Sequence, residues 1–149
     1  MEWAAAIRVA GFEADLDTDF DPEAFSGFLP CMYKARTAGF EYYRGTLEPS
    51  RQATLGVPAT QSCFITFSTR SSYREFATSV ICAAVLASKS GGTLYDADGT
   101  TVIPAGSEIA WARECEEGIQ NDIRLQDSPR VPADPSRTKS ASKPWWRFW

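Results

Sequence analysis

The segment EADLDTDFDPE, Glu13 to Glu23, carries six carboxylates and no basic residue. Its aspartates, Asp15, Asp17, Asp19 and Asp21, fall at every second position. Carboxylates at this density can hold a cation, work as acid–base pairs, or form an acidic surface. A calcium loop of the EF-hand type needs alternating acids, then glycine at the sixth place and glutamate at the twelfth. Counting from Asp15, those places hold Phe20 and Ser26; from Asp17 they hold Pro22 and Phe28, so both registers fail. A looser cation site remains open. Nothing sets two acids at a separation that acid–base catalysis could use. An extended backbone would put the four aspartates on one side and Leu16, Thr18 and Phe20 on the other. The ladder is then either a solvated strand edge, where acids discourage unwanted pairing, or a surface that speeds docking on a basic partner.

The chain has no histidine. That removes every Ser–His and Cys–His nucleophile and the commonest general base near neutral pH. The reading is a binding protein and not an enzyme. An enzyme working through carboxylates or Cys31 would need a cleft with perturbed acids. The cysteines, Cys31, Cys63, Cys82 and Cys115, are widely spaced and form no C-x-x-C pair. A zinc site would require all four to converge; the expectation is free thiols in a reducing compartment. No metal and no cofactor is expected. Gly91-Gly92 follows a helical pattern instead of preceding one, and there is no G-x-x-x-x-G-K, so it reads as a helix stop and not a phosphate loop.

Charge divides the chain. From Asp127 onward there are five basic residues and two acids, a net +3; the whole chain is −4, which leaves the first 126 residues at −7. An acidic body repels nucleic acid, so no nucleic-acid partner is expected. The tail has four prolines and several serines and reads as a flexible linker, apart from its last residues, WWRFW. There Trp145, Trp146, Phe148 and Trp149 flank Arg147. Aromatics with an arginine suit an interface hot spot; they can equally pack back on the body or meet a membrane interface. The tail's modest charge argues against stable anchoring by itself.

Around these residues the elements follow from periodicity. Trp3 to Phe12 reads as a first strand, and Asp21-Pro22-Glu23 as the start of a short helix ended by Gly27 and Pro30. Gly39 to Leu47 reads as an aromatic-rich strand. A loop with Pro49, Gly56 and Pro58 leads to a strand over Ser62 to Ser68, where Phe64 opposite Cys63, Ile65 and Phe67 predicts that both faces are partly covered. Ser72-Tyr73-Arg74-Glu75 forms a capping box ahead of a helix from Tyr73 to Ser90. Its apolar stripe is Tyr73, Phe76, Ala77, Val80, Ala84 and Ala87, widened by Ile81, Val85 and Leu86. Asp98-Gly99 turns a hairpin that pairs Thr93–Tyr95 with Thr101–Ile103. Ser107 opens a last helix to about Leu125 with Glu114, Glu116 and Glu117 outward. The expectation is one α+β domain over residues 1–126, a mostly antiparallel sheet with two main helices on one face, followed by the tail, 127–149. No apolar run reaches the roughly 18 residues of a membrane span, and no signal peptide is evident, which places the chain in the cytoplasm.

Ala77 to Gly99, ATSVICAAVLASKSGGTLYDADG, resembles a pattern in small bacterial immunity proteins encoded beside polymorphic toxins and type VI secretion effectors. In those proteins an alanine-rich helix ends at a glycine pair and a strand carries an aspartate. SGFLPCMYKARTAGFEYYRG, Ser26 to Gly45, resembles their proline and Gly-Phe-Glu segment. The resemblance covers about half of the chain and brings no catalytic residue. It implies an inhibitor that binds a cognate toxin, and the acidic body implies a basic surface on that toxin. The expected contacts are Asp15, Asp17, Asp19 and Asp21, with Glu41 and Tyr43 in the following strand. The alternative is an adaptor or chaperone that presents Trp145, Trp146 and Trp149 to a secretion component.

Overall fold

The computed structural model describes residues 2–128 except Thr18, Ser71 and Ala97. It is α+β. The chain runs α1 (Glu2–Val9), β1 (Ala14–Leu16), β2 (Gly27–Tyr33), β3 (Arg36–Thr46), α2 (Pro49–Leu55), β4 (Cys63–Ser68), α3 (Tyr73–Ser90), β5 (Leu94–Tyr95), β6 (Val102–Ile103) and α4 (Glu108–Asp127). Strands β1 to β4 form one antiparallel meander in sequence order, and β5–β6 form a separate two-stranded ribbon. α3 lies on one face of the sheet, touching β2, β3 and β4, and α1 and α4 pack on α3.

Three assignments differ from the sequence reading. Trp3 to Val9 is a helix, not a strand: Trp3, Ala4, Ala6 and Ile7 are buried at helical spacing, whereas Val9 is exposed. Three consecutive alanines favour the helix, and the Trp3 indole N–H fixes it by donating to the buried Cys82 carbonyl at 3.0 Å. Asp21-Pro22 starts a single turn, with the Phe25 N–H bonded to the Asp21 carbonyl, and Gly27 to Tyr33 is a strand. There Leu29, Cys31 and Tyr33 point inward while Phe28, Pro30 and Met32 point outward. Pro30 is tolerated in this inner strand because its nitrogen faces the side on which β1 has already ended; its carbonyl accepts from Asp17 N–H at 3.3 Å. The segment read as a loop after Pro49 contains α2, with Pro49 in its first turn and Gly56 left-handed at φ 67 just past its end.

α3 occupies the predicted residues. Its Ile81, Ala84 and Val85 are fully buried in the core, each large aliphatic contributing about 1.5–3 kcal/mol. Gly91 ends it at φ 66. The capping box does not form: Ser72 makes no side-chain cap bond, and Glu75 accepts from Arg70 N–H at 3.2 Å. The predicted hairpin forms as Leu94 opposite Ile103 and Tyr95 opposite Val102. Ser107 likewise does not cap α4; its hydroxyl donates to the Pro104 carbonyl.

Glu116 corrects the expectation of an outward glutamate. Its Oε1 accepts from the Tyr33 hydroxyl at 2.6 Å and meets Lys34 Nζ at 3.2 Å, while Gln120 Nε2 donates to the same hydroxyl at 2.9 Å. This network ties α4 to the β2–β3 turn. That turn holds Lys34 at φ 49 and Ala35 at φ 59, the conformation of a type I′ hairpin that asparagine and glycine ordinarily supply. Inside the sheet, Trp3, Phe20, Phe25, Phe40, Tyr42 and Phe67 form an aromatic cluster with ring centroids 5.2–6.3 Å apart, and Tyr42 donates its hydroxyl to the Pro22 carbonyl at 2.8 Å.

Candidate interaction face

The period-2 geometry of β2, β3 and β4 gives the sheet two different faces. The inner one packs against α3. On the outer one, Phe28, Met32, Tyr43 and Phe64 are 40–53 % exposed. Two of these rings lie over glycines. A Cβ on Gly39 would sit 2.3 Å from Phe28 Cζ, and a Cβ on Gly45 would sit 2.5 Å from Phe64 Cζ. The glycines are thus the floor on which the aromatic rings rest, a pairing that shields strand backbone without covering the rings. Phe64 lies over Gly45 and is 44 % exposed, and among the described residues no other element covers the outer face, where the sequence predicts partial cover.

The predicted carboxylates border this face unevenly. Asp15, in β1, stands opposite Met32 and forms an exposed 3.4 Å ion pair with Arg8, a pair of little energetic weight. Asp17 follows the end of β1 at the level of Pro30; its Oδ1 accepts from Asp19 N–H at 3.0 Å. Asp21 Oδ1 accepts from Glu23 N–H at 2.9 Å. Asp17 and Asp21 thus shape turns, and only Asp15 of the ladder belongs to a strand. The alternation itself holds: Asp15, Asp17, Asp19 and Asp21 are exposed, while Leu16 is buried and Phe20 joins the aromatic cluster. Among the described residues, no group of three or more His, Cys, Asp or Glu is placed to hold a metal ion.

Glu41 and Tyr43 lie side by side in β3 on the outer face, with the Tyr43 hydroxyl 3.2 Å from Glu41 Oε2 as its donor. The Glu41 charge raises the Tyr43 pKa. Arg70 reaches Glu41 Oε1 at 3.7 Å. Phe28 stands directly across from Glu41, and β4 ends at Ser68 on its other side. Phe28, Gly39, Glu41, Ser68, Arg70 and Glu75 line a shallow cleft of about 280 Å³ there. The structure therefore brings Glu41 and Tyr43 together with Phe28. Asp15 lies two strands away, at the level of Thr37, four residues back along β3.

Sequence reasoning missed Phe28 and Met32. The signal is the alternation in Gly27–Tyr33, which Gly27 and Pro30 obscure because both also fit the end of a short helix. Trp145, Trp146, Phe148 and Trp149 lie outside the described residues. Cys31 and Cys82 are buried at the sheet–α3 contact, where burial raises the Cys82 thiol well above its ordinary value; Cys63 is exposed and Cys115 intermediate, and all four are free. Among the described residues, no helix is long and apolar enough to cross a membrane. Compared with models of protein families, with curated proteins and with solved structures, the chain matches none.

Proposed function

We propose that this chain is an immunity-type inhibitor. It acts in the cytoplasm, binds a cognate bacterial toxin delivered by a secretion system, and docks through the outer face of its sheet. The observation that carries this reading is the outer face itself: Phe28, Met32, Tyr43 and Phe64 exposed together, with Asp15, Asp17 and Glu41 at their borders. Exposed aromatics supply contact area at small entropic cost, and such residues dominate interface energies. The surrounding carboxylates, on a body of net −7, would accelerate encounter with a basic surface and fix its register. The resemblance of the α3–β5 segment to immunity proteins supplies the toxin as the class of partner.

The test is protection. The chain is co-expressed with the toxin encoded by the neighbouring gene, and growth and complex formation are scored. Tyr43→Ala combined with Phe28→Ser should abolish protection. Asp15→Lys with Asp17→Lys should slow association roughly tenfold or more at low salt, with little change in dissociation. Full protection by the Phe28/Tyr43 variant would remove the sheet face from the interface. Absence of any protection by the unaltered chain would remove the immunity reading.

A further inference from the structure

The two edges of the sheet are built differently. The β1 edge is three residues long, carries Asp15 at its centre and is followed at once by Asp17. Short strands and charges are the usual protection of an edge against another strand. The β4 edge lacks both. Cys63–Ser68, CFITFS, holds no charge and no proline, and its register with β3 runs without a bulge. Among the described residues, no strand pairs with β4 on the side away from β3. The register shows which backbone groups face that side. Leu47 N–H donates to the Ser62 carbonyl at 2.9 Å, and hydrogen-bonded pairs alternate along an antiparallel ladder. Ser62, Phe64, Thr66 and Ser68 therefore turn their N–H and C=O groups to β3, and Cys63, Ile65 and Phe67 turn theirs to the edge. The side chains of Ile65 and Phe67 pack on the core only in part, and Cys63 is exposed.

We propose that β4 pairs antiparallel with β4 of a second copy of this chain, about a two-fold axis at Ile65. In that register Ile65 stands opposite the partner's Ile65, and Cys63 stands opposite the partner's Phe67. Every edge-facing N–H then meets an edge-facing C=O. A shift of one residue would set free groups against groups already bonded to β3. Symmetry and charge select a second copy as the occupant. A two-fold contact needs a surface that complements itself, and three alternate residues read the same from both directions about Ile65. The first 126 residues carry −7, so copies repel one another in general; β4 is a seam along which they meet without any charged side chain of the strand. Opposed residues of an antiparallel pair share a face, so both copies keep α3 on the same side, where Ile65 and Phe67 gain cover. On the other side the two outer faces join into one, with Phe64 opposite the partner's Thr66. The pairing leaves Phe28 and Tyr43 uncovered and does not depend on the proposed function.

The experiment is sedimentation velocity of the full chain, with amide hydrogen exchange read by NMR over the same concentrations. A six-residue seam is small against the ~1,200 Å² at which stable interfaces begin, so a reversible monomer–dimer equilibrium is expected between micromolar and millimolar chain. The amides of Cys63, Ile65 and Phe67 should exchange freely in the monomer and slow in step with the dimer fraction, about tenfold when nine-tenths of the chain is dimeric. Those of Phe64 and Thr66, already bonded to β3, should change little. Cys63→Pro removes an N–H that the β3–β4 ladder does not use, at the first residue of the strand, where proline is tolerated. It should raise the dimer dissociation constant roughly tenfold with an unchanged circular dichroism spectrum; the unaltered chain supplies the other two readouts whatever that variant does. A chain that stays monomeric at millimolar concentration overturns the proposal. So does a dimer in which the Cys63, Ile65 and Phe67 amides still exchange freely, because the copies then meet elsewhere. Protection of those amides in the monomer means that the edge is occupied within the chain, and overturns it as well. Protection against a toxin is scored separately and bears on the proposed function alone.

Discussion

Gly39→Ala and Gly45→Ala are the same chemical change on the same face of the same strand, yet the structure separates them. The three atoms nearest a Cβ on Gly45 all belong to the Phe64 ring, at 2.5, 2.6 and 3.3 Å. Phe64 is 44 % exposed, so its ring can swing into solvent. The lost ring contact is offset by the ~0.5–1 kcal/mol that alanine gains over glycine in a strand interior, and the net change should lie within about 0.5 kcal/mol. A Cβ on Gly39 meets the Phe28 ring at 2.3 Å and also the Leu29 carbonyl oxygen at 2.9 Å. The ring can move; the carbonyl cannot, because Leu29 is held opposite Phe40 in the β2–β3 ladder. Overpacking of this kind costs roughly 1–3 kcal/mol, so after the same offset Gly39→Ala should destabilise by about 1–2 kcal/mol. Urea unfolding of the full chain, followed by circular dichroism, reads this as a lowered midpoint at unchanged slope. In a thermal scan the loss corresponds to roughly 3–6 °C per kcal/mol at this size. Equal costs at the two positions, or a Gly39→Ala chain as stable as the parent, would refute the assignment of both rings and of the β2–β3 register beneath them.

Tyr33→Phe removes a 2.6 Å bond to the Glu116 carboxylate and an acceptor for Gln120; it should cost about 1.5–3 kcal/mol, and a double-mutant cycle with Glu116→Gln should show coupling above 0.5 kcal/mol. Ala35→Gly relieves a left-handed backbone at φ 59; the strain of about 1–2 kcal/mol less the entropy cost of glycine predicts a chain more stable by up to about 1 kcal/mol, measured as a raised urea midpoint. Burial raises the Tyr33 and Tyr42 phenols above their ordinary value, the Glu116 hydrogen bond adding to the first. A raised folded-state pKa means that the folded chain holds these protons more tightly. Stability is therefore whole below about pH 10 and is lost as pH rises through the folded-state values. The urea midpoint should fall in that alkaline window, and less steeply in Tyr33→Phe and Tyr42→Phe.

Elements with a long period and strong punctuation were legible. The helix Tyr73–Ser90 carries its stripe over five turns and stops at a glycine that adopts φ 66. Its cap was not: the pattern Ser-x-x-Glu is present, but Glu75 is drawn to Arg70 N–H, a choice made by the way the preceding strand arrives. Short elements were ambiguous because a few residues fit either period. In Trp3–Val9 the apolar positions suit a strand as well as a helix, until burial against α3 selects the helical face. In Gly27–Tyr33 a proline and a glycine masked clear alternation, because a proline is forbidden only where its missing N–H would be needed.

The sequence by itself determined the acidic body, the basic aromatic tail, the outward side of each aspartate and the core stripe of the central helix. These depend on residue type and local period. Only the tertiary structure decided that Phe28 and Phe64 rest on Gly39 and Gly45, that Glu41 and Tyr43 share a face with them while Asp15 lies two strands away, and that the last described helix ends against the first turn of α3. These depend on strand register and on which elements cover which side of the sheet, and both are set by contacts between residues far apart in the chain.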